Sequence, residues 1–371
     1  MPSPLSKTRS ENDPVQVMVV DDSNVVGDLV NGILMQDPRI QVAARPVDGA
    51  DAVSQFRKLE AEVMVLDIGG QPKESLTTLS RLLRIDTKAR ITLVSTLTFT
   101  NVKTGLEGLE RGAVEFLQTP GAHTSGSSLA VFQHTLTENV FELGLARRSE
   151  GDRLAQKAAA SVAVFKAEAV GPIQLRPAST VTPRVLIIAS STGGPKALLS
   201  LFENLSPSVT LPILIAQHIP PVFTGALAQN ITRVSGRACA EGEDGELVRA
   251  GRVYVAPGDY HMVLEPDGNT VCIRLNQESP INYCRRSADP LLVSAANIYG
   301  ANVLGLVLTG MGKDGKGSCE TITKAGGTII AQDQDTSVIW GMPGAVAQAG
   351  LCSAVLPLDE IPGFLQKAVA E

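Results

Sequence analysis

The chain reads as an α/β protein of two units in tandem, each a doubly wound, mostly parallel sheet. Three observations predict this. Short apolar runs recur, and the polar or small residues that close them mark strands buried on both faces. Stretches with helical spacing separate several of these runs, and strands that alternate with helices build parallel sheets. Between residues 147 and 183 the periodicity lapses into a polar tract followed by one rich in Pro, Ser and Thr, so a linker is expected there. The resulting division is a polar tail over 1–13, a first unit over 14–146 ending in a helix, a linker over 147–183 and a second unit over 184–371.

In the first unit, residues 15–20 (V-Q-V-M-V-V) form a strand that runs into Asp21 and Asp22. A helical stretch at 25–36 follows, then a strand at 42–45, an amphipathic run at 49–59 and a strand at 63–66 that ends in Asp67. Residues 91–94 form a fourth strand, closed by Ser95 and Thr96, and 112–117 (G-A-V-E-F-L) a fifth, followed by Thr119-Pro120. Parallel sheets of this kind carry function at the carboxyl ends of their strands. Asp21, Asp22 and Asp67 all fall at such ends, and crowded carboxylates repel one another unless a cation joins them, which points to a hard-cation site. The plainer alternative is that these acids start loops or cap helices. Residues 129–146 then show helical spacing at Phe132, Leu136, Val140, Leu143 and Leu145.

The second unit opens on 185–189 (V-L-I-I-A), a buried strand followed by the small-residue turn Ser190-Ser191-Thr192-Gly193-Gly194 and by Pro195, a residue suited to the first turn of a helix. That geometry lifts Ser191 to the top of a sheet beside a helix N-terminus, where backbone N–H groups, Thr192's among them, can hold a developing negative charge. Ser191 is therefore a candidate nucleophile, although a tight turn or a helix cap would use the same residues. The run 211–216 (L-P-I-L-I-A) ends in Gln217-His218, and 303–308 (V-L-G-L-V-L) leads into the loop Thr309-Gly310-Met311-Gly312-Lys313-Asp314-Gly315. Ser191, His218 and Asp314 each lie just beyond a strand, so one sheet edge can gather them into a Ser-His-Asp triad. A rival reading uses Gly310, Gly312 and Gly315 as G-x-G-x-x-G, with Asp333 or Asp335 as the ribose-binding acid of a dinucleotide site.

Composition narrows the classes. The 371 residues suit two domains, and a net charge of −6 without a basic stripe argues against nucleic acid as partner. Five cysteines without a C-x-x-C pair fit a reducing, cytoplasmic setting and offer no zinc spacing. No signal peptide or bilayer-length apolar run is present, so no membrane insertion is expected.

Two family resemblances organise these residues. V-V-D-D-S ending at Ser23, V-L-D at Asp67, V-S-T at Ser95 and G-A-V-E-F-L resemble a response-regulator receiver domain. This implies a (βα)5 flavodoxin-like fold, phosphorylation of Asp67 by a sensor histidine kinase, and magnesium held by Asp22 and Asp67 with Asp21 beside them. Two departures stand out. Thr119 occupies the place of the lysine usual before the last proline, and the loop after Asp67 reads I-G-G-Q-P-K-E-S.

From 185 to about 365, A-S-S-T-G-G-P, A-Q-H-I-P, V-Y-V-A-P-G-D-Y-H, L-T-G-M-G-K-D-G, I-A-Q-D and G-M-P resemble the catalytic domain of the chemotaxis protein-glutamate methylesterases. The resemblance implies hydrolysis of glutamyl methyl esters, and deamidation of glutamines, on the cytoplasmic helices of chemoreceptors. Ser191, His218 and Asp314 would form the triad, with the Met311 backbone N–H in the oxyanion hole and no cofactor for catalysis. The receiver is expected to shield the catalytic edge until its state changes. Ala189-Ser190 replace the usual Gly-Ala before the nucleophile, and Cys284 and Arg286 stand where H-x-P-S-type residues are common. The alternative is a signalling scaffold with a degenerate receiver and weak or absent esterase activity.

Overall fold

Five parallel strands in the order β2-β1-β3-β4-β5 make the sheet of the first unit: β1 (Val15–Val20), β2 (Ile40–Ala44), β3 (Val63–Asp67), β4 (Arg90–Ser95) and β5 (Glu115–Gln118). That is the flavodoxin-like, doubly wound order. The structure is a computed structural model that describes residues 10, 12–21, 25–121, 126–160, 173–281 and 285–370. It divides into two units, Met1–Val170 and Gly171–Glu371. Helices α1 (Val25–Leu34), α2 (Gly49–Phe56), α3 (Pro72–Ile85), α4 (Phe99–Arg111) and α5 (Gly126–Ala160) flank the first sheet. The fifth strand starts later than its apolar run, because Gly112 caps α4 in the left-handed region at φ 117°.

Helix α5 departs from expectation. It was to end at 146, but it continues to Ala160, so the first residues of the expected linker are helical. Its buried stripe of Phe132, Leu136, Val140 and Leu143 is prolonged by Arg147, Arg148 and Glu150, which are also buried. Hydrophobic periodicity cannot register a stripe that turns charged. Arg148 makes a two-toothed bridge to buried Glu62 (2.6 and 3.0 Å) and donates to the carbonyls of Ser10, Asp13 and Pro14. Glu150 accepts from Lys88 at 2.5 Å and Arg90 at 3.2 Å, while Arg147 pairs with Asp86. Removing one partner of a buried pair like Arg148–Glu62 costs about 3–5 kcal/mol, since the other charge is stranded. These bridges hold the helix extension to the amino-terminal end of the sheet.

The second unit contains a seven-stranded, all-parallel sheet in the order β14-β13-β12-β6-β7-β9-β8. Its strands are β6 (Val185–Ser190), β7 (Ile213–Gln217), β8 (Cys239–Glu241), β9 (Val253–Val255), β12 (Val303–Val307), β13 (Thr328–Gln332) and β14 (Ala354–Leu356). An antiparallel hairpin, β10 (His261–Asp267) with β11 (Thr270–Asn276), stands apart from it. The helices are α6 (Gly194–Asn204), α7 (Thr224–Ser235), α8 (Ala288–Tyr299), α9 (Lys316–Lys324), α10 (Gly341–Gln348) and α11 (Ile361–Ala370). The winding reverses between β6 and β12, which makes their carboxyl ends the switch point where ligands of such sheets bind. Residues 173–183, in the expected linker, are laid across the second unit. Arg176 N–H donates to Cys352 O at 2.8 Å, Ser179 N–H to Thr328 Oγ1 at 2.8 Å, and Asn302 Nδ2 to Thr182 O at 2.7 Å, which fastens this segment to the second unit. Among the described residues no helix is long and apolar enough to cross a membrane.

Candidate active site

Each member of the expected triad sits where its strand delivers it, at the carboxyl ends of three adjacent strands. Ser191 follows β6, His218 follows β7, and Asp314 lies in the loop after β12. Apolar side chains drive β6 into the core on both faces, so the chain surfaces only at the turn. There Ser191 N–H donates to Thr309 O at 3.1 Å, which ties the turn after β6 to the loop after β12. Gly193, in the left-handed region at φ 78°, caps α6, and a side chain there would strike Val338. The helix thus begins immediately beyond the serine.

His218 is fixed through its backbone, whose N–H donates to Ser190 O at 3.1 Å. Its Nε2 stands 3.0 Å from Asp314 Oδ2. That is ion-pair distance, but the ring N–H is not aligned on the oxygen as a full hydrogen bond requires. Catalytic hydrogen bonds commonly tighten only with substrate bound. Asp314 is 2% exposed. Burial pushes its carboxyl upward, yet His218, the Ser287 hydroxyl (2.6 Å to Oδ1) and the Ala288 N–H (2.7 Å to Oδ2) outweigh burial and hold it down to about 2. The group is a fixed anion. Neighbouring Asp289 shifts the other way, raised by burial and by the Asp314 charge.

The structure therefore brings His218 and Asp314 into contact and sets Ser191 on the adjoining strand end. Among the described residues, Ser191 Oγ makes no hydrogen bond. Thr192 is buried and its carbonyl accepts from Thr309 Oγ1 at 3.0 Å. The Met311 backbone N–H donates to nothing among the described residues, whereas the amides of Gly310 and Met342 are both used, on Ile339 O and Gly310 O.

Several residues around the site escaped sequence reasoning. Gln217, fully buried, donates from Nε2 to Ser191 O (2.9 Å) and His218 O (3.1 Å) and accepts from Ser190 Oγ (2.6 Å). Gln332, at the end of β13, accepts from Thr309 N–H at 2.8 Å. Ser287 caps α8 by accepting from Asp289 N–H at 3.2 Å while it donates to Asp314. Its place one residue before a helix was the signal available. Arg286 beside it has φ 86°, and Cys284 lies outside the described residues. Of the two acids the dinucleotide alternative could use, Asp333 is engaged in a local turn, where its Oδ1 accepts from Thr336 N–H at 2.9 Å and from Thr336 Oγ1 at 2.6 Å. Gly310 lies against Ser191, where a Cβ would come within 2.9 Å of the serine Cβ, and Asp314 contacts His218.

In the first unit, Asp21, Asp67, Ser95 and Thr119 stand at the carboxyl ends of β1, β3, β4 and β5, and all are buried. Asp21 Oδ2 accepts from Gly27 N–H at 2.6 Å and Asp67 Oδ1 from Gly69 N–H at 2.9 Å. Asp22 lies outside the described residues. Two carboxylates on neighbouring strand ends are the all-oxygen donors a hard divalent cation takes, so the residues present fit magnesium. Among the described residues no group of three or more His, Cys, Asp or Glu gathers into a metal site. Thr119 N–H donates to Ser95 O at 2.8 Å, and among the described residues its buried hydroxyl has no hydrogen-bond partner, at the position where receivers usually carry a lysine.

Residues 186–365 match the family model of the CheB methylesterases. Over 368 residues the chain is 44% identical to protein-glutamate methylesterase/protein-glutamine glutaminase 1 of Rhodospirillum rubrum, covering 96% of this chain and 95% of that protein. It is 42% identical to the protein-glutamate methylesterase/protein-glutamine glutaminase of Azospirillum brasilense, with 96% and 93% covered. The crystal structure of the Thermotoga maritima CheB methylesterase catalytic domain is 40% identical and covers 50% of this chain and 99% of its own, with a TM-score of 0.49. The chain belongs to the protein-glutamate methylesterase/protein-glutamine glutaminase family.

Proposed function

We propose that this chain hydrolyses glutamyl methyl esters, and deamidates glutamines, on the cytoplasmic helices of chemoreceptors by way of an acyl-enzyme on Ser191. The observation that carries the reading is the His218–Asp314 contact at the β6–β12 switch point, one strand from a serine at a helix start. Ser191 Oγ attacks the ester carbonyl carbon as His218 takes the hydroxyl proton. With Nε2 turned to Asp314, the nitrogen left for that proton is Nδ1. The carbonyl oxygen becomes an oxyanion, held by the backbone N–H groups of Met311 and Thr192. Collapse expels the methoxy group, which leaves as methanol with the proton from His218. Water then repeats the sequence and frees the glutamate; for glutamine the departing molecule is ammonia. Asp314 stays ionised throughout and stabilises the imidazolium. These steps need no cofactor.

The first unit acts as a receiver in this reading. Asp67 takes a phosphoryl group from a sensor histidine kinase, and Asp22 and Asp67, with Asp21 beside them, would hold magnesium. The cation supplies charge neutralisation for the phosphoryl oxygens. A cytoplasmic location follows from such partners. The test is methanol release from methylated receptor, with and without a small-molecule phosphodonor. Ser191→Ala should lower turnover by ~10³-fold or more while folding is kept. Retained turnover in that variant rules out the nucleophile.

A further inference from the structure

We infer that Gln217, anchored by Ser190, is a positioning residue that sets the nucleophile against its base. The inference rests on the Ser191 and His218 roles proposed above and names a determinant that they do not contain. One carboxamide nitrogen donates to two carbonyls, those of Ser191 and His218, at 2.9 and 3.1 Å. A primary amide has two N–H groups, so each carbonyl receives its own proton. The backbones of two side chains that must exchange a proton are thereby referred to a single atom. No other described side chain donates to both.

The opposite end of the amide is also specified. Ser190 Oγ donates to Gln217 Oε1 at 2.6 Å, and both residues are fully buried. The two carbonyls can only accept, so they turn Nε2 toward themselves, and the hydroxyl, which can donate or accept, then donates to the oxygen left on the other side and restrains it. Gly194 presses on the same oxygen: a Cβ there would lie 2.1 Å from Oε1, so the α6 start confines the amide as well. Ser190 is one of the two positions at which this chain departs from its family's usual turn, where alanine precedes the nucleophile. The serine adds a lock on a glutamine that an alanine would leave with a bare buried acceptor.

Positioning within a reacting pair is steep, with a misplacement of ~1 Å costing ~10²-fold in rate. Gln217→Glu keeps the shape and removes both donors, leaving an acceptor that faces two carbonyls. It should lower kcat for methanol release by ~10²-fold with KM unchanged, and slow phosphonylation of Ser191 by a small fluorophosphonate by a similar factor. Ser190→Ala should lower both by a smaller factor, about threefold to tenfold, and its effect should vanish in the Gln217→Glu background. Labelling is measured per folded molecule, so a fall in melting temperature with undiminished labelling and kcat in both variants overturns the inference. If Gln217→Glu does not fold, Ser190→Ala decides by the same readouts. Failure of the underlying reading looks different: wild-type protein that takes no phosphonyl group at Ser191, or Ser191→Ala protein that still releases methanol.

Discussion

Replacing Gly310 with alanine tests the architecture of the nucleophile turn through a single methyl group. A Cβ at Gly310 would lie 2.5 Å from Met342 Sδ, 2.9 Å from Ser191 Cβ and 3.0 Å from Ser191 N. The first conflict is soft, since a thioether swings aside, although Met342 is fully buried and has little room. The other two are hard. Carbon atoms in contact want about 3.5–4.0 Å, so Ser191 must recede by roughly half an ångström or more, or the Gly310 loop must. The loop is tethered on both sides, its N–H on Ile339 O at 3.1 Å and its carbonyl on Met342 N–H at 2.8 Å. Most of the displacement therefore falls on the serine. Overpacking of this kind costs about 1–3 kcal/mol of stability, and moving a nucleophile by such a distance lowers kcat by ~10–10²-fold. The assay pairs methanol release at saturating substrate with thermal unfolding. Gly317→Ala, on helix α9 with nothing within 4 Å of the added carbon, is the control and should gain up to about 1 kcal/mol with turnover intact. Unchanged turnover and melting in Gly310→Ala would show that Ser191 does not sit against the loop.

Asp314 makes a prediction about acid. Its carboxyl is held at about 2 instead of 3.8, so the stability it adds is complete above the unfolded value and is lost as pH falls through the folded one. Asp314→Asn should therefore forfeit about 2 kcal/mol at neutral pH and lose less stability than wild type between about pH 4 and 2; identical pH profiles in urea titrations refute the assignment. Thr119→Lys places a point charge where a neutral hydroxyl now lies buried, with no hydrogen-bond partner among the described residues. Phosphoryl incorporation at Asp67 from a small-molecule phosphodonor, and the accompanying change in methanol release, should both increase, and no change in either counts against the receiver reading.

The elements that sequence reasoning recovered are those whose burial is written in apolar letters. Residues 15–20 and 185–189 carry nothing polar on the faces the sheet hides, except Gln16, and each became a strand within a residue of its expected limits. Helix α5 past 146 was illegible for the converse reason. Arg147, Arg148 and Glu150 are buried like a core stripe, but their burial depends on Glu62, Asp86 and Lys88, which lie far away in the chain. A local window reads such residues as solvated. The hairpin of β10 and β11 also went unread, because Glu265 to Thr270 point largely to solvent and only residues such as Met262, Leu264 and Ile273 reach the core.

The same division runs through the site. Ser191, His218 and Asp314 were legible because each ends or follows an apolar run, and parallel topology brings such ends together whatever their separation in the chain. Topology assigns neighbours, however, and not distances. What brings Asp314 Oδ2 to 3.0 Å from His218 is the Ser287 hydroxyl and the Ala288 N–H at the start of α8, a helix whose tract gave no sign of facing a carboxylate. The backbone positions of the serine and the histidine likewise depend on Gln217 and Thr309, one a neighbour in sequence that looked like a strand end, the other a loop residue whose carbonyl takes the Ser191 N–H. Reactive groups announce themselves by type and place. The groups that hold them carry ordinary side chains, and their roles emerge only when hydrogen-bond partners are known.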